Sequence, residues 1–128
     1  MGFVEAVKAL YKNYVKFDGR AMRSEYWWPT LYIYILYFFM LVGAGLLGET
    51  LGGIVALIVG VVMLGSIIPL IAVTVRRLHD VDKSGWFFLL SLIPIVNFYI
   101  LYLTIIKGTD GPNRFGSDPL GSDASVFN

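Results

Sequence analysis

Apolar residues follow two different rhythms along this chain. Over residues 3–17 they recur at spacings of three and four, with Phe3, Val7, Leu10, Tyr14 and Phe17 on one face and Lys8, Lys12 and Lys16 on a flank. That spacing predicts an amphipathic helix. Further along they become continuous. Residues 28–47, 51–75 and 86–106 contain no Asp, Glu, Lys, Arg or His. Each run reaches the roughly 20 residues that a helix needs to cross ~30 Å of hydrocarbon. Unbroken runs also exclude the two-residue alternation of a membrane barrel. The pattern predicts an all-α polytopic membrane protein in one domain over residues 1–128. Its parts are an interfacial amphipathic helix, three transmembrane segments and a polar tail at 108–128.

Breaks in the pattern define the segments. Asp18-Gly19 is a turn signal after the first helix, and Trp27, Trp28 and Trp86 sit where aromatic interface anchors belong. Pro29 suits a helix start, where its missing N–H is not needed. Only Glu49 and Thr50 separate the last small residues of the first run from the second, so the two spans form an antiparallel hairpin. Gly52, Ala56 and Gly60, at intervals of four, form a small-residue ladder suited to close helix packing in lipid. Pro69 removes the hydrogen bond to the Gly65 carbonyl and predicts a kink between them. The lysine-flanked first helix either lies among anionic headgroups or packs on the spans. The third run is interrupted by Pro94 and Asn97. Its length favours a kinked span; the alternative is a re-entrant hairpin whose tip is buried in protein.

Composition narrows the class. With 57% hydrophobic and 15% charged residues, little chain is left over for a separate soluble domain. The basic residues are asymmetrically placed: five precede the first span, Arg76, Arg77 and Lys83 follow the second, and the loop at Glu49 has none. The positive-inside rule therefore predicts a cytoplasmic N-terminus and second loop. The first 20 residues lack the apolar core of a cleavable signal peptide, which leaves the first span as the insertion signal. There is no cysteine, hence no disulfide and no thiolate chemistry.

The scarce polar residues fall into three clusters. Residues 17–28 read F-D-G-R-A-M-R-S-E-Y-W-W, residues 76–86 read R-R-L-H-D-V-D-K-S-G-W, and residues 108–119 read G-T-D-G-P-N-R-F-G-S-D-P. Together they resemble the DUF805 family of small bacterial inner-membrane proteins, across nearly the whole chain. The resemblance implies a bacterial inner-membrane location and a multi-pass architecture. It implies no reaction, because the family's molecular function is undefined.

The candidate site is the set of charged groups that these clusters supply: Arg20, Arg23, Glu25, Arg76, Arg77, His79, Asp80, Asp82 and Arg114. A hairpin of the first two spans brings the first two clusters together at the cytoplasmic interface. Within one helix, Asp80 can pair with Arg76 or Arg77. One reading is a charged collar that ends the spans and fixes their register. The other is a guanidinium pocket for an anionic lipid headgroup or the acidic segment of a protein partner. Arg114 would reach Glu25, Asp80 or Asp82 if the tail is cytoplasmic. His79 is the only histidine, too few ligands for a metal cage. It is expected to cap a helix end as an imidazolium. Its neighbours Asp80 and Ser84 do not make a triad, since a triad is defined by geometry. Gly108, Gly111 and Gly116 with Pro112 and Pro119 describe turns, and residues 120–128 a frayed end. No cofactor, catalytic group or nucleic-acid motif is read. The expected function is thus non-catalytic, with an oligomeric channel or transporter component as the alternative; the spans lack the ionisable residue that ion paths usually need.

Overall fold

The computed structural model describes residues 2–119. It contains helices α1 (Phe3–Lys12), α2 (Arg23–Leu46), α3 (Gly48–Gly65) and α4 (Ile67–Asp80), a 3₁₀ helix (Gly85–Leu92), and α5 (Asn97–Ile105). No strand occurs among the described residues; Asn113 and Gly116 form one isolated antiparallel bridge. The expected fraying of residues 120–128 lies outside the described residues.

Helices α2 and α3 are long and apolar enough to cross a membrane, and only 11% and 6% of their most hydrophobic windows are buried. A core helix of a soluble protein would be mostly buried. Here Tyr34, Phe38, Leu57 and Leu64 stand 60–70% exposed, whereas the largest fully buried side chain among the described residues is Arg77. The molecule is apolar outside and charged inside, the arrangement a hydrocarbon solvent demands.

Helix α2 starts six residues before Pro29, so that proline lies inside the helix and not at its start. Leu47 alone separates α2 from α3, and Gly48, at φ +81°, makes the reversal in a backbone region that L side chains rarely adopt. Glu49 and Thr50 therefore belong to the first turn of α3 and not to a loop. Gly52 makes the close approach: a Cβ there would lie 3.0 Å from both the Ala44 Cα and the Gly43 carbonyl oxygen. At Gly60, by contrast, a Cβ would meet nothing within 4 Å. Of the Gly52-Ala56-Gly60 ladder, then, the upper rung seats α3 against α2 and the lower one is open.

The kink expected from Pro69 is present as a break at Ser66 between α3 and α4. Pro69 cannot donate to the Gly65 carbonyl, and Tyr14 Oη donates to it instead at 2.7 Å. Ser66 Oγ donates to Val62 O at 2.7 Å and lies 2.6 Å from Tyr11 Oη. The freed polar groups of the kink are thus satisfied from the N-terminal segment. This fixes the role of α1, which is shorter than its sequence periodicity and ends at Lys12. Its Ala6 and Leu10 are fully buried, Leu10 against Ala21 and Val73. Phe3 meets Trp28 edge-on at 5.9 Å and Tyr11 meets Tyr32 at 6.1 Å. The apolar stripe of α1 therefore packs on the protein's own helices.

The third apolar run is not one kinked helix. Eight residues of 3₁₀ helix reach ~16 Å and nine of α-helix ~14 Å, each about half the hydrocarbon thickness. Turns at residues 94–96 reverse the chain between them. Gly85, which opens the run, lies against Val75 and His79; Gly108, just past its end, lies against Asp80. Both ends thus return to the C-terminus of α4. The physical reason is that Pro94 cannot continue either arm, and that α4 ends in polar groups, among them the His79 and Asp80 carbonyls, that the returning chain satisfies.

The two rungs of the ladder make opposite predictions. Gly52→Val should lower stability by roughly 1–3 kcal/mol, because the α2 backbone it would strike cannot yield. Gly60→Ala should be neutral or stabilise by roughly 0.5–1 kcal/mol through helix propensity. Denaturant titration in detergent micelles, followed by circular dichroism, reads both.

Candidate functional site

The charged residues converge on the C-terminal turn of α4. A helix end leaves its last carbonyls without partners, and here two distant segments supply donors. Ala21 N–H donates to Arg76 O at 2.9 Å, Thr109 N–H to Asp80 O at 2.7 Å, and the Asn113 side-chain amide to His79 O at 3.0 Å. Locally the helix closes with Lys83 N–H donating to Leu78 O, and Asp82 takes the left-handed position at φ 60°. A short acidic side chain tolerates that conformation better than most non-glycine residues.

Asp80 is the centre. Arg20 Nε donates to its Oδ1 at 3.0 Å, and Arg77 Nη1 donates to its Oδ2. All three side chains are more than nine-tenths buried. Burial pushes the Asp80 carboxyl upward, and Arg77 and Arg20 draw it back. Burial likewise pulls the Arg77 guanidinium down, against the opposing effect of Asp80.

The remaining guanidinium donors are directed at backbone. Arg20 donates to Thr109 O at 2.5 Å and to Gly111 O at 2.6 Å. Arg77 donates to Ala21 O and Thr104 O, both at 3.1 Å, and to Ile106 O. Trp27 Nε1 also donates to Thr104 O at 3.1 Å, so this indole caps a helix and is not free at the interface. Arginine suits this role because its planar fork serves several acceptors at once. Arg20 and Arg77 thereby tie the C-terminal end of α5 and the tail to α4.

A second pair lies beside the first. Arg76 Nη1 donates to Glu25 Oε2, and Arg76 Nε donates to Lys16 O at 3.1 Å. Of the two intrahelical partners open to Asp80, the structure uses Arg77, while Arg76 turns to α2. Among the described residues, Arg76 Nη2 and Ser24 Oγ are buried without a partner. Arg114 pairs with Asp82 at 3.3 Å, both half exposed, and Arg23 reaches Ile105 O at 3.5 Å.

His79 is held between the Gly19 carbonyl and the Phe115 ring. Its Nδ1 lies 2.9 Å from Gly19 O, and its ring stacks on Phe115 at 4.0 Å with an interplanar angle of 1°. Burial foremost, with Arg114 adding to it, lowers its pKa from the ordinary 6.5, against the Gly19 carbonyl and Asp18. The shift favours the neutral ring. Its direction runs against the imidazolium expected at the helix end.

Every candidate charged residue is thus brought to one end of the bundle. Sequence spacing did not reveal the acceptors: the carbonyls of Thr104, Ile106, Thr109 and Gly111 carry no residue signature. Asn113 and Gly108 were readable in principle. A Cβ on Gly108 would lie 2.8 Å from Asp80 O and closer still to the carboxylate. Gly108 is therefore a packing glycine and not a turn glycine.

Over residues 14–117 the chain matches the family described as "Protein of unknown function (DUF805)". It belongs to that family. It is 44% identical over 116 residues to the inner membrane protein YhaH of Escherichia coli (strain K12), covering 84% of this chain and 90% of that one. It is 38% identical over 112 residues to the inner membrane protein YhaI of the same strain, with coverages of 87% and 92%. No solved structure matches it. The buried cluster and the exposed apolar helices are those of a membrane protein whose molecular role is undefined.

Asp80→Asn should destabilise by roughly 3–5 kcal/mol, because Arg20 and Arg77 are left buried without a counter-charge. Asp82→Asn, at an exposed pair, should cost under about 1 kcal/mol. Thermal melts in detergent separate the two. For His79, a depressed folded pKa means that its contribution is complete above about pH 6.5 and is lost as pH falls through the lower folded value. Acidification from about pH 7.5 to 5 should therefore lower the hydrogen-exchange protection factors of Asn113 and Gly116, taken against the intrinsic rate at each pH. His79→Phe, which preserves the stack, should flatten that response.

Proposed function

We propose that this protein is a non-catalytic, multi-pass inner-membrane module. Its N-terminus, second loop and tail all lie at the cytoplasmic face, and its charged cluster organises the fold. The re-entrant 85–106 segment keeps all ten basic residues on that side, in accord with the positive-inside rule. The observation that carries the reading is the fate of the guanidinium donors. Arg20 and Arg77 are spent on Asp80 and on backbone carbonyls, which favours the structural collar over a headgroup fork at these residues.

Contact with anionic lipid then falls to the exposed rim. Lys8, Lys12, Lys16 and Arg114 are exposed, and juxtamembrane basic side chains each contribute about 1 kcal/mol of attraction to an anionic leaflet. Helix α1 presents its lysines there while its apolar face holds the Ser66 kink. A protein partner would use the same rim through an acidic segment.

The topology is tested by labelling single cysteines at Thr50, Ser84 and Ser117 with a membrane-impermeant maleimide. Thr50 should react from outside, and Ser84 and Ser117 only after lysis; external labelling of Ser117 would overturn the re-entrant arrangement. Replacing Lys8, Lys12 and Lys16 with Gln should leave the melting temperature unchanged while reducing co-purified phosphatidylglycerol in native mass spectrometry. Unaltered lipid retention would remove the rim from the mechanism.

A further inference from the structure

Where the loop after α1, the end of α4 and the start of the 3₁₀ helix meet, a cavity of about 500 Å³ opens. That volume is in the range of small-molecule sites. Its walls are apolar and largely aromatic, including Phe17, Val75, Trp86, Phe88 and Leu89. No Asp, Glu, Lys or Arg lines it. The polar groups on its wall are those of His79 and Ser84 and the indole N–H of Trp86.

His79 is more than nine-tenths buried, and one of its two ring nitrogens is committed. Nδ1 faces a carbonyl, Gly19 O, at 2.9 Å. A carbonyl only accepts, so Nδ1 carries the proton and the neutral ring leaves Nε2 as a bare acceptor. Phe115, stacked on the ring, fixes the direction in which Nε2 points. Nε2 has no hydrogen-bond partner among the described residues. It faces Gly85, where an added Cβ would come to 3.5 Å from it and 2.8 Å from Val75 Cγ1. The absence of a side chain at Gly85 is what leaves Nε2 open to the cavity. Ser84 Oγ accepts from Trp86 N–H at 3.3 Å and retains its own proton to donate.

We propose that this cavity binds the hydroxyl end of a neutral, apolar molecule, with the O–H donating to His79 Nε2. The uncharged wall disfavours an anionic headgroup, so the site is separate from the basic rim. An apolar pocket with one aimed acceptor rejects a ligand that lacks the donor, because a buried polar group is then left unpaired. Two membrane-soluble sources carry this chemistry: a quinol, whose flat ring suits the aromatic walls, and a diacylglycerol.

The single histidine makes the test direct. Full-length protein labelled with ¹⁵N-histidine in lipid nanodiscs is titrated with a short-tailed benzoquinol, with the dimethyl ether of that quinol, and with dioctanoylglycerol. A hydroxyl probe should shift the Nε2 resonance saturably and leave Nδ1 nearly still, and the ether should not. Saturation by the quinol at lower mole fraction identifies the ring-bearing source; saturation by the glycerolipid identifies the other. Leu89→Trp fills the cavity from a half-exposed position without touching His79, and should abolish the shift while the melting temperature holds. The proposal is overturned if the ether moves Nε2 as far as the quinol does. It is equally overturned if neither hydroxyl probe moves it, or if Leu89→Trp leaves the response intact.

Discussion

One carboxylate, that of Asp80, sets the terms for the rest of the molecule. Buried between Arg20 and Arg77, it compensates two guanidinium groups that would otherwise be too costly to remove from water. Those groups then have donors left over, and in a dry site each must find an acceptor. The acceptors are the unpaired carbonyls at the end of α5 and in the tail. Electrostatics and backbone hydrogen bonding are thereby solved together. A helix end that lacks donors is matched to arginines that lack acceptors.

This explains why so small a membrane protein has a charged interior. Two apolar helices in hydrocarbon gain nothing from burying leucine against leucine, since lipid is equally apolar. Close backbone approach at Gly52 and directed polar contacts must hold the elements instead. The small apolar clusters, one around Leu10, Ala21 and Val73 and another around Leu78, Ile100 and Leu103, flank the charged centre. The N-terminal segment has a parallel duty. Tyr11 and Tyr14 satisfy the polar groups released where Pro69 breaks the α3–α4 helix.

Much of this was legible in the amino-acid order. The two long helices, the tight turn between them and the break near Pro69 follow from run length, small residues and proline chemistry. The meeting of the first two polar clusters followed from the hairpin, whereas the third joins them only if the third run reverses. The third run was less readable, because Pro94 and Asn97 fit a kinked span as well as a reversal, and run length favoured the span. What decides it is a match between Arg77 and the carbonyls of Thr104 and Ile106, and carbonyls are the same in every residue. The surroundings of His79 were hidden for a related reason. They include Gly19 and Phe115, residues distant in sequence that only the fold brings to the ring. Gly108 was misread because a glycine among turn residues looks like a turn glycine, whereas it is the Asp80 carboxylate that forbids a side chain there.

The charged centre is also discontinuous along the chain, drawing on residues 20–25, 76–80 and 104–116. During synthesis Arg20, Arg76 and Arg77 emerge well before the carbonyls that Arg20 and Arg77 will serve. Before residues 104–116 arrive, these guanidinium groups can already pair with Asp80 and Glu25, but the donors that will serve Thr104, Ile106, Thr109 and Gly111 have water and headgroups in their place. The last-made part of the chain is therefore the part that closes the interior. The charged pairs can form first, and the backbone contacts that seal them come last.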